Sequence, residues 1–166
     1  MPLHGGKGGV LHDSADGWHP WLLTSPDELR PDTPETPTSA DLDELVHLQD
    51  ARDDAIVALI KQWNSRPAVL PWTETANAAF AEFKMPPVRQ SRAQGMLQTA
   101  LHDAVIAAFD AQDAYQAPLP ATLHAQITPL EGIVTDRPAF PSEHAAVAGA
   151  AAEVLGSRGD VVPAAA

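Results

Sequence analysis

Apolar positions recur at helical spacing in four stretches of the chain, and no stretch shows the sustained alternation of a half-buried strand. The first predicted helix spans 40–64. Thr38, Ser39 and Asp41 offer oxygens for its N-cap, and Asp41 with Glu44 has capping-box spacing. Leu42, Leu45, Val46, Leu48, Ile56, Leu59, Ile60 and Trp63 form its apolar stripe, and Pro67 lies just past its end. A shorter helix is predicted over 72–84, stopped by Pro86 and Pro87. The third, over 87–115, is the most regular. Pro87 fits a first turn, where no amide donor is needed, and Met96, Leu97, Leu101, Val105 and Phe109 repeat at near-fourfold spacing. Ala100, Ala104, Ala107, Ala108 and Ala111 leave room for close helix approach. The fourth helix spans 142–155, with Ser142 at its N-cap and Gly156 as its stop. It is small and apolar nearly all round, which predicts a central, buried helix.

Between and around these helices the chain is rich in Gly and Pro. Residues 1–38 read as a flexible arm, with Trp18, Trp21, Leu22 and Leu23 suggesting that part of it packs down on the body. Residues 39–156 form the helical domain. Within it, 116–141 is a long Pro-rich loop, a length that in a compact domain is uncommon and often functional. Residues 157–166 read as a disordered tail. The class is all-α.

Charge and composition narrow the partners. The formal net charge is -12, the pI is about 4.7 and the ten Lys and Arg are scattered, so neither nucleic acid nor an anionic membrane is an expected partner. There is no cysteine, which excludes disulfides, thiolate metal sites and cysteine nucleophiles. No signal peptide is visible, and no stretch approaches the roughly 20 apolar residues of a transmembrane helix. As written the chain is expected to be cytoplasmic. The histidines His4, His12, His19, His47, His102 and His124 give no helical zinc spacing. GGKGGV has the glycines of a phosphate loop but neither a strand before it nor a Lys-Ser or Lys-Thr pair, so it reads as part of the arm. Arg158-Gly159-Asp160 is too short to carry an adhesion function. The acids Asp41, Asp43, Glu44, Asp50, Asp53 and Asp54 read as a solvated helix face.

One segment carries a resemblance. LQTALHDAVIAAFDAQDAYQAPLPATL, followed by PAFPSEHAAVAGAAAEVL, is similar to the vanadium haloperoxidase and type-2 phosphatidic acid phosphatase superfamily, on its bacterial haloperoxidase-like branch. The likeness covers about 88–155 and extends loosely to 40–87. It implies a helical bundle of the acid phosphatase/vanadium-dependent haloperoxidase type, incomplete here. It also implies a pocket for one oxyanion, either vanadate as cofactor or the phosphate of an ester substrate. The family builds that pocket from Lys-x6-Arg-Pro, from Pro-Ser-Gly-His opening a helix, and from a distal Ser-Arg-x5-His-x3-Asp.

The second of these parts is present as Pro141, Ser142, Glu143 and His144. A helix start presents free amides and the positive end of a dipole, so it attracts oxyanions. Ser142 and the amide of Glu143 would hold the anion, and His144 would transfer protons at its apical oxygen. Glu143 stands where the family has Gly, and its carboxylate would repel the anion if it turned inward. In the first part Gln112 falls at the Lys position, and Leu119 at the Arg position beside a retained Pro120. Two charge-assisted contacts are thereby lost, at about 1.5–3 kcal/mol each. The third part has no counterpart. Ser157-Arg158 lies too close to His144, and Ala164 falls where the distal His would stand. The resemblance therefore implies a truncated or degenerate, catalytically impaired member. Asp103 and Asp110, two turns apart on the third helix, are expected to serve in hydrogen bonding or to face solvent rather than to orient site cations. The alternative reading is a non-catalytic helical partner-binding protein or gene fragment. Apolar helix surface left exposed would then favour a homo-oligomer.

Overall fold

The computed structural model describes residues 17–133 and 137–156. Among them the regular structure is all helical: α1 Ser39–Asp50, α2 Asp54–Asn64, α3 Val69–Glu82, α4 Pro87–Tyr115, the single turn α5 Pro120–Leu123, and α6 Glu143–Gly156. None is long and apolar enough to cross a membrane.

The longest helix, α4, is the spine. Pro86 and Pro87 start it, since a proline ring pre-sets the helical φ and the first turn needs no amide donor. Gln116, in the left-handed region at φ 48°, ends it by donating its amide to the Gln112 carbonyl. Ala93, Leu97, Leu101, Val105 and Phe109 lie along one face at successive turns. They form a single core with Ala76 and Phe80 of α3 and Val147 and Ala151 of α6. The most extensive helix pairing is α4 with α6, followed by α4 with α3.

The 40–64 helix of the sequence reading is corrected to two. α1 closes at Asp50, and Asp53 turns its carboxylate onto the amide of Ile56 at 2.8 Å, making a new N-cap. A short acidic side chain offers its neighbours' amides a local acceptor, and here that competes successfully with helix continuation. The capping box at the start of α1 also differs from the expected pair. It joins Thr38 to Asp41, not Asp41 to Glu44. The Thr38 amide and then its hydroxyl hold the Asp41 carboxyl below the ordinary aspartate range.

A second correction concerns α6. It is not buried all round: only Val147 and Ala151 are fully covered, while Ala145, Gly149, Ala152 and Glu153 face solvent. Half of the stripe read along 40–64 is likewise uncovered. Leu42 is buried, but Leu45, Leu48, Ile56 and Leu59 are exposed, and α2 buries no residue fully. α1 also has polar ties to the loop before α6. The Gln49 side chain donates to the Gln126 carbonyl at 3.0 Å and accepts from the Thr128 amide at 2.8 Å.

This packing gives opposite expectations for two small substitutions. Leu101→Ala empties a fully buried site and should destabilise by about 2–5 kcal/mol in urea unfolding followed by helical circular dichroism. Gly149→Ala should instead stabilise by about 0.5–1 kcal/mol, because a Cβ there meets nothing within 4 Å and helical glycine is entropically costly. A destabilising Gly149→Ala would mean that this face of α6 is covered.

Candidate functional site

The segment Pro141–His144 opens α6, as its sequence requires. Ser142 supplies the cap: its hydroxyl accepts from the Ala145 amide at 3.3 Å, and its carbonyl from the Ala146 amide at 3.0 Å. The peptide between Phe140 and Pro141 is cis. Glu143 lies in the first turn, where a negative side chain complements the helix dipole.

Ser142 and His144 sit together at the wall of a cavity of about 540 Å³ between α2, α3 and α6. The rest of the wall is Leu59, Ile60, Trp63, Asn64, Trp72, Ala145 and Ala148, with the rings of Trp63 and Trp72 tilted at 55° and 5.9 Å apart. Among the described residues no lysine or arginine lines it, and Glu143 does not either. The site is open to solvent on one side, and on its walls a multiply charged oxyanion would meet mostly indole and aliphatic carbon.

His144 already has a partner. Its Nε2 lies 3.3 Å from the Trp63 carbonyl oxygen in the last turn of α2. That carbonyl would ordinarily accept from the residue four positions on, which is Pro67 and has no amide hydrogen. The imidazole supplies the missing donor, which requires the proton on Nε2 and leaves Nδ1 as the acceptor in the neutral ring. His144 thus ties the start of α6 to the end of α2.

Gln112 stands where the resemblance places a lysine. It is buried, 4% exposed, and both ends of its amide are engaged. Nε2 donates to the Pro141 carbonyl at 2.7 Å, and Oε1 accepts from Nε of Arg137 at 2.7 Å. The neutral amide therefore fastens the approach to α6 onto the spine. Arg137, a residue the sequence reading passed over, is the cation nearest this position. Its guanidinium lies 3.9 Å above the Phe109 ring and Nη2 is 3.7 Å from the Asp113 carboxylate, so its charge is turned toward α4. The Arg-Pro pair at 137–138 was the available signal, a short step upstream of Ser142. Leu119 places no charge nearby; it precedes α5, and its carbonyl accepts from Thr122.

The remaining acids and histidines are dispersed. Asp103 and Asp110 serve in hydrogen bonding, as expected of them: Asp103 accepts three amides of the segment before α1, and Asp110 pairs with Arg30. His102 stacks on Trp18, and His124 lies 3.8 Å from Asp43. Among the described residues no group of three or more His, Cys, Asp or Glu could hold a metal ion. His4, His12, GGKGGV, Ser157-Arg158, the Arg158-Gly159-Asp160 tripeptide and Ala164 lie outside the described residues. In comparisons with known proteins, no family model, curated protein or solved structure matches this chain.

The Gln112 knot yields a direct test. Gln112→Met keeps the volume but removes both hydrogen bonds, leaving the Pro141 carbonyl and Arg137 Nε without this partner. It should cost about 2–3 kcal/mol in urea unfolding with the helical signal intact at zero urea. A cost within about 0.5 kcal/mol, the usual range for a surface change, would show that the amide carries no structural weight.

Proposed function

We propose that this chain is a helical scaffold of the haloperoxidase and phosphatase type, in which an oxyanion site is reduced to the start of α6 and no longer supports turnover. The observation that carries this reading is Gln112. A position that the resemblance assigns to a cation holds a buried neutral amide whose two ends are committed to Pro141 and Arg137. Leu119 removes the second cation. Ser142 and His144 remain beside a cavity at a helix start, which is the arrangement for accepting an oxyanion oxygen and moving a proton. Without cations a vanadate or phosphate ester has only amide dipoles to offset its charge, and the apolar wall supplies nothing further. Halide oxidation or ester hydrolysis at this site is therefore expected to be absent.

The test is calorimetric titration of vanadate into the purified chain and into His144→Ala. The expected outcome is no saturable binding tighter than millimolar in either. Tighter binding that disappears in His144→Ala would overturn the impaired reading and restore an active oxyanion site.

A second reading, a partner-binding module, is favoured by α2. Ile56, Leu59, Ile60 and Trp63 form a stripe at helical spacing, yet Ile56 is 44% and Leu59 54% exposed. Uncovered apolar surface of this kind marks interaction faces. If the stripe pairs with a second copy, sedimentation equilibrium at raised salt, which screens the net charge, should show mass rising with concentration, and Leu59→Glu should abolish the rise. A monomer at all concentrations would remove self-association from this reading.

A further inference from the structure

The segment before α1 is attached to the spine in an unusual sense: backbone inward, apolar side chains outward. Trp21 is 76% and Leu22 74% exposed, so burial of these side chains does not hold the segment down. What holds it is one carboxylate. Asp103, only 5% exposed, accepts the successive amides of Trp21, Leu22 and Leu23 at 2.8, 2.7 and 3.2 Å. Consecutive amides turned to one side form an anion-binding concavity, and here the anion is a side chain of α4. Three charge-assisted bonds compensate the desolvated carboxylate.

Smaller clips flank this point. Upstream, the Trp18 ring stacks on His102 with centroids 5.6 Å apart, and His102 Nε2 lies 3.1 Å from the His19 carbonyl. Downstream, Arg30 pairs with Asp110 at 2.8 Å, and the Tyr115 hydroxyl donates to the Pro31 carbonyl. Between the clips the segment is tied to itself. Glu28 accepts from the amide and hydroxyl of Thr24, which hold its carboxyl below the ordinary glutamate range, and the amides of Glu28 and Arg30 donate to the carbonyls of Ser25 and Asp27.

We propose that residues 17–31 are a strap that opens from α4 as a unit, with Asp103 as its latch. This goes beyond the functional reading and does not depend on it. Residues 24–30 of the strap carry their own internal bonds, so that part can lift without losing them. Opening returns Asp103 to water, so no charge is stranded. The helical core joins Leu97, Leu101, Val105 and Phe109 to α3 and α6 and includes no strap residue, so it can persist while the strap is open. Lifting the strap would uncover the His102, Asp103 and Asp110 face of α4. A segment attached through hydrogen bonds while Trp21, Leu22 and Leu29 stay exposed belongs toward the low end of local stability.

Native-state hydrogen exchange on the whole chain tests this. In the unaltered protein the amides of Trp21, Leu22 and Leu23 should exchange through one common opening whose urea dependence is measurable but well below that of global unfolding, because it exposes less surface. The α4 amides of 105–112 should follow global unfolding. In Asp103→Asn the three strap amides should exchange at least about tenfold faster, since one acceptor oxygen becomes a donor group, while 105–112 keep their protection. Arg30→Ala should accelerate them less. The proposal fails if the strap amides in the unaltered protein share the urea dependence of 105–112. It fails also if Asp103→Asn leaves their exchange unchanged or removes protection from strap and α4 together.

Discussion

The contact between α4 and α6 is the constraint on which the rest depends. Leu97, Leu101, Val105 and Phe109 offer a continuous apolar face, and α6 meets it with Val147 and Ala151. α6 is rich in alanine and glycine, so its backbone can approach the spine closely, and that approach fixes where its amino end lies. Ser142 and His144 stand where they do because α6 is docked this way. α3 completes the core through Ala76 and Phe80; α2 is tied to α6 through Trp63 and His144, and α1 to the loop before α6 through Gln49.

Polar side chains do the remaining fastening, each answering a specific deficit. Pro67 leaves the Trp63 carbonyl without its helical donor, and His144 provides one. The loop entering α6 has a carbonyl at Pro141 that must be satisfied near the core, and Gln112 provides the donor. The strap turns three amides inward and needs an acceptor, which Asp103 provides. Buried polar groups are costly unless paired, so each tie also selects one arrangement over others. This explains how a chain with a modest core can hold long irregular segments in place.

The same ties bear on chemistry. A histidine that donates to a helix end and a glutamine that joins two elements are committed groups, and commitment to structure competes with commitment to a ligand. Around α6 these ties leave Ser142 and His144 at a helix start, beside a largely apolar cavity wall with no lysine or arginine among its described lining residues. Arg137 sharpens the point: a cation does lie close to Gln112, but Phe109, Gln112 and Asp113 draw it toward α4, and it does not line the cavity beside His144.

The all-helical class, the bounds of α4, the Ser142 cap and the Pro-rich loop before α6 were legible in the sequence, because each follows from local rules of period, capping and proline geometry. The break between α1 and α2 was harder to read. Asp53 sits in an acidic run where any of several residues could cap, and only the competition between continuing the helix and capping anew decides. Burial was the least legible. An apolar stripe shows that a helix can pack, not that a partner is present, so the stripe of α2 and the small residues of α6 read alike, though one lies largely uncovered and the other is half buried. The sequence by itself determined the all-α class, the bounds of α4 and that His144 lies at the start of a helix. Only the tertiary structure decided that His144 is spent on Trp63, Gln112 on Pro141 and Arg137, and Asp103 on the strap. These pairings join residues from 25 to 82 positions apart, and no local pattern encodes a contact made by docking one helix on another.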